Sequence, residues 1–320
     1  MRRRSVILLP AVSLAAACDP APAPSPSSVP ANPSPLPTGE PPTVTLFHST
    51  HLDGEWVTRG GVTFAHYAGV LARARAALTD PAASLFAGNG DDMSDAIGGR
   101  WTGGLHVLRM FGAAGMDVAT YGFNEIDFGL DRIGGLLAGS PVTMVSANVR
   151  DRRTGRVYNE AAGAKEFVIR TAGGVRVGLT GLITTIGPRT WAAQPNIEVV
   201  AVEAAMATVV PQMRAAGAEV VVIASHLDTR QEAQRLTAAV PGIDVILGAH
   251  IGDPSDRLQR TASGALVSTP PWNLASVGQL DLTVSGGKIT SATLRVHPVS
   301  RDSAPDPAIA QLYKDFGVTV

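Results

Sequence analysis

The stretch MDVATYGFNEIDFGLDR, residues 116–132, decides how this chain is read. Its first residues are apolar and strand-like, the run stops at Gly122, and a helix-like spacing restarts after Phe-Asn-Glu-Ile-Asp. Polar side chains are thereby loaded onto the tip of a strand.

The same unit of apolar strand and polar tip recurs on both sides. Residues 44–48, VTLFH, run into STHLDG at 49–54, and 84–87 run into GNGDDMS at 88–94. Downstream, 220–224 end in SHLD at 225–228 and 243–247 end in GAHIGD at 248–253. Side chains two apart on an extended segment share a face, so His51 and Asp53 offer an imidazole and a carboxylate together. Between these units the apolar spacing predicts helices over 60–77, 101–115, 130–137, 197–215 and 230–239. Further strands are expected at 141–149, 175–182, 265–268, 277–284 and 288–296, with a turn-rich hairpin excursion over 150–172. His66 and His106 fall inside helical patterns and read as structural, as does His297, while Asn148 reads as packing or loop support.

Taken in order, these units resemble the motifs of the metallophosphoesterases, the calcineurin-like phosphatases, in their 5′-nucleotidase branch. Residues 122–127 are similar to the family's Gly-Asn-His-Glu-Phe-Asp, matching at Gly122, Glu125 and Asp127, with Gly129 beyond. Phe123 stands where the family has a metal-ligating Asn, and Asn124 stands where it has the catalytic His. His48 and Gly54 match the first metal motif, although the ligand pair is reversed as His51 and Asp53. Gly90-Asp91 resembles the motif whose aspartate bridges two metals, and a glycine there permits close backbone approach. His226 and His250 match the later histidine motifs, while Gly252 replaces a second histidine and leaves Asp253 as the local substitute.

The resemblance covers about residues 43–298. It implies a mixed α and β fold, a four-layer αββα sandwich with its active site at the strand tips. It also implies one or two divalent ions of zinc, manganese, iron or magnesium. One ion would draw on His51, Asp53 and Asp91 and the other on Asp91, His226 and His250, with Asn124 joining if its loop shifts by one residue. Asn124, at the catalytic histidine position, can donate a hydrogen bond to phosphate but cannot transfer a proton at neutral pH. The expected activity is metal-dependent hydrolysis of a small phosphoester or nucleotide, altered or weakened by the changes at Phe123, Asn124 and Gly252. The alternative is a catalytically degenerate relative that serves as a binding or scaffold module.

Bulk properties fit this reading. The 320 residues, 45% of them hydrophobic and 17% charged, suffice for one large core, so residues 43–320 are expected to form one domain without a C-terminal nucleotide-binding domain. A formal charge of −1 gives no electrostatic reason to expect nucleic acid or an anionic membrane surface as partner. Arg2, Arg3 and Arg4 precede an apolar run, 6–17, too short to span a bilayer. The LAAAC at 14–18 resembles a bacterial lipobox, which would make Cys18, the only cysteine, an acylated N-terminus at the end of the signal segment 1–18. Residues 19–42, nearly all Pro, Ala and Ser, read as a tether. The protein is thus expected in the bacterial cell envelope, held to a membrane by lipid alone and facing the periplasm or exterior.

Overall fold

A computed structural model of the protein describes residues 41–187, 194–248 and 250–319. The signal segment, Cys18 and all but the end of the tether lie outside the described residues.

The apolar strands assemble into two six-stranded sheets. In the first, Thr43–His48, Ser84–Gly88, Val118–Ala119 and Thr143–Met144 run parallel, and Ser276–Ser285 and Lys288–Pro298 extend the sheet antiparallel beyond Thr43–His48. In the second, Val175–Ile183, Val220–His226, Val245–Leu247 and Leu266–Ser268 run parallel, flanked by the antiparallel strands Phe167–Ala172 and Gln259–Arg260.

Strands buried on both faces carry unbroken apolar runs, and here alternate residues enter different cores. Val44 and Leu46 join Val220 and Val222 in a layer between the two sheets. Phe47, one position on, packs outward with Leu71, Phe111, Ile133 and Tyr313 from the helices Phe64–Ala76, Leu105–Ala113, Leu130–Leu137 and Pro307–Asp315. On the far side Val221 and Ile223 meet Met206 and Val209 of Val202–Ala215 and Leu236 of Glu232–Ala239. Three apolar layers separating helix, sheet, sheet and helix make the four-layer αββα sandwich expected from the sequence.

Several boundaries differ from the periodicity. The helix expected over 101–115 begins only at Leu105, because Gly103 and Gly104 both have positive φ (+61° and +83°) and Trp101 lies in a two-residue strand against Ala96. The pattern over 197–215 divides into the strand Ile197–Val199, paired with Val149–Asp151, and a helix from Val202. The excursion over 150–172 contains the short strand Arg156–Val157, and its end, Phe167–Ala172, turns at Gly173 and Gly174 to pair with Val175–Ile183. Two- and three-residue strands are too short to carry a readable period. Tertiary pairing alone selects them.

Parallel strands finish at one end of their sheet, where the crevice beyond the carboxyl ends is the usual place for ligands in open α/β sheets. The polar tips singled out by the sequence all emerge there.

Candidate metal centre

The first tip follows Thr43–His48 and carries His51, which is buried, and Asp53, which is exposed and held at φ +53°. Two backbone hydrogen bonds fix this turn onto the second tip: Leu52 N–H donates to Asp92 Oδ1 at 3.0 Å and Gly54 N–H to the Asp91 carbonyl at 3.1 Å.

In the second tip Gly90 has φ +83° and Asp91 +57°, both left-handed. A Cβ at Gly90 would lie 2.7 Å from the Gly122 nitrogen, so only glycine allows the two loops to touch. The Glu125 carboxylate, itself buried, holds the bend in place. It accepts N–H groups from Gly122 (2.6 Å), Asp91 (2.8 Å), Asp92 (2.9 Å) and Met93 (2.9 Å).

The third tip is a helix, Phe123–Phe128, in place of the irregular loop expected from sequence. Gly122 is its N-cap, and the N3 residue Glu125 reaches back to accept the N-cap N–H, the half of a capping box that needs no side chain at the N-cap. The helix aims the Asn124 N–H at Asp91 Oδ1, 2.8 Å away, and sets the Asn124 side-chain amide 3.5 Å from the Asp91 carbonyl oxygen. The one-residue shift that would bring the Asn124 side chain among the ligands is not seen. Phe123 instead lays its ring 4.3 Å from that of His250 and 5.1 Å from that of His226, between centroids.

From the second sheet come His226, the last residue of Val220–His226, and His250, just beyond Val245–Leu247. His226 is fully buried, and its Nδ1 lies 3.3 Å from the Asn89 carbonyl. The backbone N–H of His250 donates to the Leu227 carbonyl at 2.9 Å.

These tips converge. The ligand atoms of Asp91, His226 and His250 lie within 4.8 Å of one another, and so do those of His51, Asp53 and Asp91. Asp91 belongs to both groups. Its Oδ2 is 3.2 Å from His226 Nε2 and 4.0 Å from His250 Nδ1. Those two nitrogens and His51 Nδ1 are buried and have no hydrogen-bond partner among the described residues. Buried polar atoms left unpaired are costly, and imidazole nitrogens gathered around one carboxylate have the chemistry of a cation site.

The electrostatics agree. Burial, reinforced by the neighbouring His226 charge, pushes the His51 imidazole down to about 4, and burial lowers His250 as well. Burial opposes the Asp91 charge, yet the adjacent His226, the Asn124 N–H and His51 outweigh it and hold that carboxyl below its usual value. Neutral His51 and His250 and an ionised Asp91 are the forms a metal binds.

The remaining candidates stand apart. Asp253, the local substitute for the histidine missing at Gly252, is exposed, with Oδ1 3.7 Å from Arg230 Nε. His48 is buried with Nε2 3.0 Å from Ser268 Oγ, tying one sheet to the other. His66 caps its own helix through Thr63, His106 meets Thr102 Oγ1, and His297 meets Gln279 Oε1. Asn148 bonds both the N–H and the carbonyl of Ile183, the supporting role expected of it. An open cleft of about 360 Å³, lined by Asp53, Met93, Ser94 and Asn124, opens beside the convergence.

Two contributors escaped the sequence reading. Glu125 matched the motif without a role; a Glu at the third helical position, able to reach back to the N-cap N–H, was the signal available. Trp272, whose ring lies 5.4 Å from that of His51, comes from a turn with no local signal at all.

No protein-family model matches the chain. Over 160 residues it is 27% identical to the trifunctional nucleotide phosphoesterase protein YfkN of Bacillus subtilis, a match covering 45% of this chain and 11% of that protein. Among solved structures it is similar to a 5′-nucleotidase precursor from Thermus thermophilus (TM-score 0.68, 21% identity, 86% of this chain and 58% of that one). It is also similar to the sulfate thiohydrolase SoxB of Thermus thermophilus (0.74, 17%, 88% and 61%) and to the calcineurin-like phosphoesterase YfkN of Bacillus subtilis (0.68, 17%, 87% and 97%). The chain therefore spans about a tenth of that curated relative, and about three fifths of the first two structures. Its fold is that of the metallophosphoesterases, in the arrangement shared by 5′-nucleotidases.

Proposed function

We propose that the protein is a metal-dependent phosphoester hydrolase of the 5′-nucleotidase type with narrowed chemistry. The observation that carries this reading is Asp91, one carboxylate common to two groups of ligand atoms. His51 and Asp53 would hold one ion with it, and His226 and His250 the other. Such ions would supply Lewis acidity toward the phosphoryl oxygens and lower the pKa of water.

The chain's own residues do the positioning. Glu125 fixes the bend that presents Asp91, Asn89 orients His226, and the Asn124 N–H steadies the Asp91 carboxylate. Asn124 carries no proton to give a departing oxygen, so a leaving group must be stable as an anion. Hydrolysis of p-nitrophenyl phosphate should exceed that of AMP, a nucleotide with a poor leaving group, when manganese or zinc is supplied. Equal and rapid turnover of both would sink the narrowed-chemistry part of the proposal. Loss of neither activity in Asp91→Ala would sink the site itself.

Support for a non-catalytic reading comes from Phe123, whose ring lies against both second-sheet histidines where an Asn ligand stands in the resembling motif. A protein that retains no metal and hydrolyses neither ester would be that binding module. We place the protein in the cell envelope through acylation of Cys18. None of the helices among the described residues is long and apolar enough to cross a membrane. Lipid labelling that is lost in Cys18→Ala would support the anchor, and unchanged labelling would exclude it.

A further inference from the structure

Four large hydrophobic side chains are exposed among the described residues, and two of them, Trp101 (72%) and Leu105 (41%), stand four positions apart on one short stretch. Trp101 ends a two-stranded hairpin, Ala96–Ile97 against Arg100–Trp101, that follows the loop bearing Asp91. It turns at Gly98 and Gly99, both at positive φ (+53° and +75°), as a two-residue hairpin loop requires. The hairpin is held from behind. Ile97 is buried, a Cβ at Gly98 would lie 2.8 Å from Val318 Cγ1, and the Thr102 and Gly103 N–H groups donate to the Asp95 carbonyl at 2.9 and 3.0 Å. A large indole is thus presented to solvent on a fixed backbone. Leu105, at the start of helix Leu105–Ala113, extends the apolar surface into a cleft of about 360 Å³ that it lines with Leu108, Leu136 and Pro141.

Charge indicates what would cover this surface. Arg100 beside Trp101 and Arg109 on the wall of the cleft are exposed, and neither has a hydrogen bond or ion pair among the described residues. Asp95, the acidic residue nearest to Arg100 in the sequence, is already engaged by Arg132 at 2.6 Å. Indole rings settle at membrane–water interfaces, and arginines beside them meet anionic head groups. The formal charge of −1 gives the whole chain no such attraction, so the local strip must supply it. Residues 19–40 would span on the order of 70 Å if extended as polyproline, and they lead into Thr43, at the end of the first sheet opposite the tips. A chain of that length lets either end of the domain face the surface that holds Cys18, so the tether alone selects neither. Stable attachment commonly joins an acyl chain to a second signal.

Resting on the Cys18 anchor proposed above, we propose that Trp101 and Leu105, flanked by Arg100 and Arg109, dock on an anionic lipid leaflet. The contact sets which end of the domain faces the membrane, and it is the end that carries the strand tips.

The test uses the full chain on vesicles of phosphatidylethanolamine with and without phosphatidylglycerol, part of them carrying brominated acyl chains that quench indoles within the leaflet. Lipidated wild type should show a blue-shifted, quenched component on the mixed vesicles that is missing from Trp101→Phe, since the other three tryptophans are common to both. Unlipidated Cys18→Ala should sediment with the mixed vesicles, and adding Arg100→Gln or Arg109→Gln should weaken that binding by about fivefold each. Adding Trp101→Ala or Leu105→Gln should weaken it too. All four positions are exposed, so the variants should melt as wild type does. Equal quenching in wild type and Trp101→Phe, or sedimentation that none of these changes reduces, overturns the docking surface and leaves the anchor standing. A wild type that carries no lipid overturns the anchor, and the sedimentation series still decides the docking. Absence of vesicle binding together with a concentration-dependent dimer that Trp101→Ala abolishes would assign the surface to a second copy of the chain and overturn the proposal.

Discussion

Glu125 accepts the backbone N–H of Asp91 at 2.8 Å, and the same carboxylate takes the N–H groups of Gly122, Asp92 and Met93. One buried side chain thus holds the left-handed bend on which Asp91 depends, and it joins the tips of two neighbouring strands. Its removal leaves four buried donors without a partner.

Glu125→Ala should therefore destabilise the fold by about 3 kcal/mol or more, since each orphaned buried donor costs on the order of 1–3 kcal/mol. Glu125→Gln keeps the shape but turns an amide nitrogen toward some of those donors. It should lose less stability while weakening metal binding by about tenfold or more, the usual effect of disturbing outer support. Urea unfolding and retained metal measure the two effects separately. Wild-type metal affinity in Glu125→Gln would show that the carboxylate does not position Asp91.

Phe123→Asn exchanges the aromatic wall beside His226 and His250 for a short amide. Metal affinity should rise by about tenfold, equivalent to about 1.4 kcal/mol. Lost packing should reduce stability by about 1–2 kcal/mol, because the ring is only partly buried. Competition with a chromophoric chelator, beside a thermal melt, checks both; unchanged affinity would mean that Phe123 does not limit the site.

Gly181 faces the first sheet, where a Cβ would lie 1.9 Å from Thr120 Oγ1 and 2.3 Å from the Val145 carbonyl. Gly181→Ala should force the sheets apart and cost about 1–3 kcal/mol or more. Gly135 in the helix Leu130–Leu137 has nothing within 4 Å of its Cβ position, so Gly135→Ala should be neutral or stabilising by up to about 1 kcal/mol. Denaturation midpoints of this pair test whether the sheet-to-sheet contact is as close as described.

His106 is fully buried, and burial pushes its imidazole down to about 4. The unfolded chain binds the proton near pH 6.5, so the stability tied to this residue is complete above that value and is lost as the pH falls toward 4. At pH 5 the loss should be about 2 kcal/mol, and His106→Leu should abolish that share of the acid sensitivity. Urea unfolding of metal-free wild type and variant at pH 7 and pH 5 gives the difference. An identical pH dependence in both would show that His106 is not the group responsible.

The long central strands of both sheets were readable because each is buried on both faces. The run VVVIASH at 220–226 has no polar interruption before its tip, and its alternate residues, Val222 and Ile223, enter separate cores. Most helices longer than two turns were equally legible in existence, Pro307–Asp315 being missed, while their starts were not. The 101–115 pattern hid two glycines at positive φ, and 197–199 were taken from the helix by pairing with Val149–Asp151.

The site was legible as a set of residue types at strand tips, and opaque as a geometry. His51 and Asp53 lie 40 and 38 positions from Asp91, and His226 lies 135 beyond it. No local pattern reports whether such loops meet. Asn124 shows the limit most clearly: its position in the sequence made it a candidate ligand, but helix Phe123–Phe128 uses its backbone N–H instead.

By itself the amino-acid sequence determined the long central strands, most of the helices and the chemical identity of the tips, because burial and periodicity act over neighbouring residues; the layer order was legible only through the resemblance of the tip motifs to a known family. Only the tertiary structure decided that Asp91 faces both groups of imidazoles and carboxylates, that Glu125 holds its bend, and that Phe123 walls one side. Those relations depend on the register of two sheets and on backbone donors drawn from loops far apart in the chain, which no local stretch encodes.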